Sequence, residues 1–151
     1  MNEYEIDHEL ITQFLHSMRM DLYPQEYDQS KYEEYILGSA EVVGLMCLAI
    51  FTEKDKDLYL KLKPSAMKLG SAFQKVNFLR DLKDDFESLG RTYFPGVDFN
   101  DIDNTAKANI ENDIEADFKD AFEGILQLPK NSRFGVYLAY KYYLKLFKKC
   151  Y

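Results

Sequence analysis

A chain of 151 residues has the length of one ordinary domain, and its 46% hydrophobic and 15% aromatic content is too apolar for a disordered polymer, so a single folded domain over 1–151 is expected. A formal charge of −7, with no basic cluster before the terminal KLFKKCY, excludes a broad nucleic-acid footprint. Cys47 and Cys150 offer neither a disulfide framework nor metal-ligand spacing, which together with the polar, acidic opening MNEYEIDHEL suits a cytoplasmic setting.

Apolar residues recur at three- and four-residue spacing almost throughout, and no segment alternates as a strand should, so the chain reads as all-α with about five helices. The first covers about 7 to 21 and carries His8 and His16, which have no Cys or carboxylate constellation around them and are expected at the surface. The second, about 30 to 52, contains the run ILGSAEVVGLMCLAIF. Its 16 residues include Glu41 and fall short of the roughly 20 apolar residues that span a bilayer, so it reads as a buried core helix. On one face Ile36, Ala40, Val43, Gly44, Cys47 and Phe51 place small residues at the centre. Such a face either accepts something bulky or packs closely against another helix.

The third helix, about 65 to 88 after Pro64, carries QKVNFLRDLKDD at 74 to 85. At about 100° per residue, Gln74, Asn77, Asp81 and Asp85 share a sector of roughly 80°, with Gly70 inside it and Ala66 just beyond its edge. Leu69, Phe73, Val76, Phe78, Leu79, Leu82 and Phe86 take most of the remaining circumference. The polar stripe therefore faces either a cavity, where carboxylates must pair, neutralise or bind a cation, or solvent, with Lys75, Arg80 or Lys83 as ion-pair partners. In the first case Asn and Asp oxygens at i, i+4 and i+8 suit a hard ion such as Mg²⁺.

The fourth helix, about 103 to 127, has one apolar stripe of Ile110, Ile114, Phe118, Ala121 and Ile125. Within it Asp113 and Asp117 also spell acid-x-x-x-acid, but in charged surroundings they are expected on a solvated face. The fifth covers about 131 to 149, where Lys145, Lys148 and Lys149 suit a helix C-terminus.

The segment LGSAFQKVNFLRDLKDDFESLGRTYFP, 69 to 95, resembles the second aspartate-rich motif of the squalene and phytoene synthase family, the head-to-head trans-prenyltransferases. Gln74, Asn77, Arg80, Asp81 and Asp85 stand where that family's Q-x-x-N-x-x-R-D-x-x-x-D pattern places them, and Arg91, Tyr93, Phe94 and Pro95 match its Arg-x-Tyr-Phe-Pro ending. Upstream, residues 18 to 46 are similar to the family's M-x-x-D segment leading into Y-x-x-x-x-A-x-x-V-G, matched at Tyr35, Ala40, Val43 and Gly44. The ending RFGVYLAYKYYLKLF, 133 to 147, resembles the family's closing helix.

What the resemblance implies is a helical bundle of the isoprenoid synthase type around a central cavity, joining two allylic prenyl diphosphates through a cyclopropyl intermediate. Mg²⁺ would assist diphosphate loss, and NADPH would be needed only if squalene is the product. Carried over, Asn77, Asp81 and Asp85 are the metal-side residues and join Gln74 as the catalytic set, while Arg80 and Arg91 lie near diphosphate. Tyr35, Ala40, Val43, Gly44, Ala66 and Gly70 would line the prenyl channel. The family's first aspartate-rich DxxxD helix has no counterpart in residues 1 to 17, so the chain resembles the C-terminal portion of such an enzyme, a truncated or split form with an incomplete bundle. The alternative is a non-catalytic helical scaffold that binds a partner chain or lipid. The partners expected are a prenyl diphosphate, an N-terminal half or a second copy, and a peripheral contact with a membrane, with no transmembrane segment and no nucleic acid.

Overall fold

A computed structural model describes residues 2–23, 27–89, 94–95 and 104–149, and the side chains of all of these except 2, 82–89 and 104. Aspartate caps set three of the helix starts. The Asp7 carboxylate accepts from the Glu9 N–H at 3.0 Å and opens α1 (His8–Met20). Asp28 accepts from the Lys31 N–H at 2.9 Å and opens α2 (Gln29–Ile36), and Asp55 accepts from the Leu58 N–H at 2.9 Å ahead of α4 (Lys56–Leu89). Each satisfies a backbone donor that the first helical turn leaves without a partner. The remaining α-helices are α3 (Val42–Phe51), α5 (Asn104–Ile125) and α6 (Lys130–Phe147), a short 3-10 turn covers Asn2–Tyr4, and the described residues contain no strand.

The segment Leu37–Glu41 joins α2 to α3 as a π turn, in which the Val42 N–H bonds back to the Leu37 carbonyl. Gln29–Phe51 is therefore one continuous rod, long and apolar enough by length and composition to cross a bilayer, which the 16-residue apolar run alone was not. Its buried side chains, among them Tyr32, Tyr35, Ile36, Val42, Leu45 and Leu48, are packed inside the bundle, with α1 and α4 against it. It is a core helix.

Pro64 was expected to precede the third helix, yet it lies inside α4, which starts at Lys56. A proline in a helix interior removes a backbone bond and costs about 3 kcal/mol. Packing on both sides of it offsets that cost: Leu62 is buried with Leu48 and Leu128, Ala66 packs against the same cluster, and Leu58 and Tyr59 extend it toward the helix start.

The long α4 contributes side chains to two further clusters, which share Leu79 and Ile110 at their margins. In one, Tyr27, Tyr32, Tyr35, Ile36, Phe78 and Phe94 form an aromatic cluster. In the other, Ala72 and Val76 pack with Ile114, Phe118 and Ile125 of α5 and Tyr140 and Phe147 of α6. The stripe expected on the fourth helix is thus the buried face of α5, each large side chain contributing about 1.5–3 kcal/mol by burial. His8 and His16 are exposed, the latter paired with Glu34 at 3.0 Å.

The small residues of the π turn and α3 meet those of α4 in a reciprocal crossing. A Cβ on Gly44 would lie 2.6 Å from the Ala66 carbonyl oxygen, and one on Gly70 would lie 2.5 Å from that of Ala40. Neither position admits a side chain without moving a backbone.

Candidate functional site

Beside that crossing lies a cavity of about 610 Å³. Of the channel residues expected from the sequence, Ala40, Val43, Gly44, Ala66 and Gly70 line it, and so does Gln74. Leu48, Phe51, Leu62, Phe73, Leu128 and Val136 supply most of the remaining wall. The small residues therefore serve both uses open to them: their backbones touch, and the space above the contact is left for something else. Sequence reasoning missed Ser39, whose hydroxyl oxygen is buried at the cavity wall with no hydrogen-bond partner. A largely hydrocarbon wall with a few polar groups suits a long apolar ligand with one polar end.

Tyr35 does not line this cavity. Its ring is buried in the aromatic cluster, edge-on to Tyr27 with centroids 5.6 Å apart, and its hydroxyl donates to Asp21 Oδ2 at 2.9 Å. Tyr35 and Gly44 lie on opposite sides of the π turn, so α-helical spacing across it does not fix whether they share a face.

The polar stripe continues along α4 past Gln74. Asn77 is half-buried and its Oδ1 is buried with no hydrogen-bond partner, an arrangement that costs about 1–3 kcal/mol when nothing else occupies the site. One turn on, Asp81 takes two hydrogen bonds from the neighbouring Arg80, at 2.6 Å from Nε and 2.5 Å from Nη2. These bonds, helped by the guanidinium charge and opposed by desolvation, hold the Asp81 carboxyl below the usual carboxylate range. Both side chains are close to half exposed, so the pair is weak and can rearrange. The Asp85 side chain and Arg91 lie outside the described residues.

Among the described residues no three His, Cys, Asp or Glu side chains converge to hold a metal ion. What α4 does present is an orphaned amide oxygen and an ionised carboxylate one turn apart. Those are hard oxygen donors, and they fit an ion such as Mg²⁺ that keeps most of its waters and takes only one or two protein carboxylates.

The solvated face expected for Asp113 and Asp117 is not what forms. Asp117 is 1% exposed, and its carboxylate accepts from Lys68 Nζ at 2.7 Å, Ser71 Oγ at 2.8 Å and Lys75 Nζ at 2.6 Å. Lys75, itself buried, also donates to Asp113 Oδ2 at 2.5 Å, while Asp113 stays half exposed. Burial pushes the Asp117 carboxyl up, but the bonds from Lys68, Lys75 and Ser71 and the Lys75 charge outweigh it, and the group lies below its ordinary range. Glu41, at the end of the π turn, senses the same cluster. Burial and then the Asp117 charge raise its carboxyl, against Lys68 and Lys75. The signal in the sequence was Lys68 and Lys75 themselves, seven residues apart and so on one face of α4, matched to two acids four apart on another helix.

The crystal structure of squalene synthase HpnC from Alicyclobacillus acidocaldarius has the same fold, with a TM-score of 0.80 at 20% sequence identity over 97% of this chain and 60% of that one. The chain thus spans 60% of that enzyme's length. No curated protein matches the sequence. An all-α bundle, an apolar cavity along α4 and the Gln74–Asn77–Asp81 stripe at its end accompany a match to the squalene/phytoene synthase family over residues 1–151, and the chain belongs to that family.

Proposed function

We propose that this chain supplies the prenyl-channel wall and the second acidic motif of a head-to-head prenyltransferase that joins two allylic prenyl diphosphates. The observation that carries the reading is the division of α4. Ala66, Gly70 and Gln74 line a hydrocarbon cavity, and Asn77 and Asp81 continue the same helix beyond it. A prenyl diphosphate is divided in the same way, into an apolar tail and an anionic head.

Asn77, Asp81 and Asp85 would hold Mg²⁺, which neutralises charge building on the departing diphosphate when bound. Arg80, freed from Asp81, and Arg91 would contact the diphosphate oxygens, while Gln74 at the cavity wall orients the reacting end. Val43, Leu48, Leu62 and Phe73 exclude water from the allylic cation. Asp81–Asp85 is the second acidic motif and Asp117 is tied to Lys68 and Lys75, so the opposite acidic wall would come from a further DxxxD helix, brought by a partner polypeptide or by further residues of the same enzyme.

The test is to incubate the chain with Mg²⁺ and farnesyl or geranylgeranyl diphosphate, with and without a DxxxD-bearing N-terminal portion of a family enzyme. A head-to-head hydrocarbon should appear with that portion present and be lost in Asp81→Asn, because an amide cannot supply the carboxylate charge. Near-normal turnover of Asp81→Asn, with the fold confirmed by circular dichroism, overturns the assignment. An intact fold with no product in any combination favours the non-catalytic scaffold.

A further inference from the structure

We infer that Ser39 is a substrate-positioning residue, its hydroxyl donating a hydrogen bond to the oxygen on C1 of the prenyl ligand. The inference rests on the prenyl-diphosphate reading above. Ser39 lies in the π turn and lines the cavity, and its Oγ is buried without a hydrogen-bond partner. Several other hydroxyls are met within the protein. Thr12 and Thr52 donate to the carbonyls four residues back, His8 at 3.1 Å and Leu48 at 2.9 Å, and Ser71 donates to Asp117 Oδ2 at 2.8 Å. A serine inside a helix ordinarily has such a carbonyl in reach, and one buried without it is destabilising until an outside group supplies the missing bond.

Contacts between the rod and α4 set the level of Ser39 along the cavity. Ala40 stands against Gly70 and Gly44 against Ala66, so the rod and α4 run antiparallel, and farther on Tyr35 meets Phe78 with ring centroids 5.8 Å apart. Ser39 therefore lies between the levels of Gly70 and Phe78, where Gln74 also reaches the cavity. The opposite end is hydrocarbon, with Leu48, Leu62 and Leu128 buried together. A prenyl tail has no hydrogen-bonding atom, and the terminal phosphate oxygens belong farther along α4, at Asn77 and Asp81. What remains at the level of Ser39 is the junction of tail and head, the oxygen on C1. The residue is partly exposed while its oxygen is not, so the hydroxyl is turned into the wall in the free chain, and rotation about Cα–Cβ presents it to the ligand. A hydrogen bond there fixes how deep the tail sits and directs the C1–O bond toward Asn77 and Asp81.

The test is binding without turnover. In titration calorimetry of the intact chain without Mg²⁺, Ser39→Ala should bind farnesyl diphosphate about tenfold more weakly, and farnesol, which keeps the C1 oxygen, about fivefold more weakly. Farnesene, which has no oxygen, should bind as before. Ser39→Thr should restore both losses, and Ser39→Val, of the same shape as the threonine variant, should not. With no ligand present, Ser39→Ala should melt about 2–4 °C higher than wild type, because it removes a buried hydroxyl that has no partner, and it should gain less from farnesol. Unchanged binding of both oxygen-bearing ligands overturns the inference and leaves the prenyltransferase reading standing. So does a loss confined to farnesyl diphosphate, which would put Ser39 on a phosphate oxygen, or a lower melting temperature of ligand-free Ser39→Ala, which would mean a partner within the protein. Wild-type protein that takes up none of the three ligands overturns both.

Discussion

Lys75 Nζ sits 2.6 Å from Asp117 Oδ2 within the α4–α5 interface, with the two side chains 8% and 1% exposed. A buried pair of this kind contributes little over a well-packed apolar pair, but breaking it from one side strands a charge. Asp117→Asn should therefore cost about 3–5 kcal/mol of unfolding free energy, and Lys75→Met combined with Asp117→Leu should recover most of that loss. Urea unfolding of the single and double variants checks the order. The acid limb is a second reading. The folded Asp117 carboxyl lies below its ordinary value of 3.8, so its contribution is complete above that pH and is lost as pH falls through the folded value. The double variant should lack this acid-sensitive component.

Glu41 should behave in the opposite sense. Its carboxyl is raised above the ordinary 4.5 by burial and by Asp117, so the protonated form favours the folded chain below that pH and the benefit disappears as pH rises through the folded value. Glu41→Gln should raise the melting temperature at neutral pH and bring no gain below pH 4.5. An equal gain at both pH values would mean that something other than ionisation is responsible.

The crossing of α3 and α4 makes a third prediction. Gly44→Ala and Gly70→Ala should each lose about 1–3 kcal/mol from overpacking against a carbonyl, despite a helix-propensity gain near 1 kcal/mol. Gly135→Ala is the control, since a Cβ there meets nothing within 4 Å, and it should stabilise by about 1 kcal/mol. Thermal melts of the three variants separate the effects. For the same reason a bulky residue at Gly44 would push α3 from α4 rather than simply shorten a channel.

Much of the fold was legible because helix limits are local. Asp7 and Asp28 stand where the apolar period begins, and the α5 stripe is visible within its own helix. Pro64 was misleading because the packing that carries the helix through it comes from Leu48 and Leu128, both remote in sequence. Asp117 was misplaced for a similar reason: its cations lie 49 and 42 residues away, so charged neighbours on its own helix indicated solvent while the neighbours in space were Lys68 and Lys75. For the candidate site, periodicity placed Gln74, Asn77 and Asp81 on one stripe and the small residues of the second helix on one face, and the family resemblance, not the spacing, pointed to a channel beside them. The Tyr35 hydroxyl bond to Asp21 and the buried Ser39 oxygen were not legible, since each depends on how far one rod is rotated against another.

That rotation is governed at the π turn. Because the Val42 N–H reaches back to Leu37, the rod accommodates an additional residue, and the angular phase of α3 differs by about 100° from that of an uninterrupted continuation of α2. Deleting one residue from Leu37–Glu41 would restore a perfect α ladder. It would also turn Gly44 away from Ala66, or else turn Tyr35 and Ile36 out of the aromatic cluster. The more regular helix would therefore be the less stable protein.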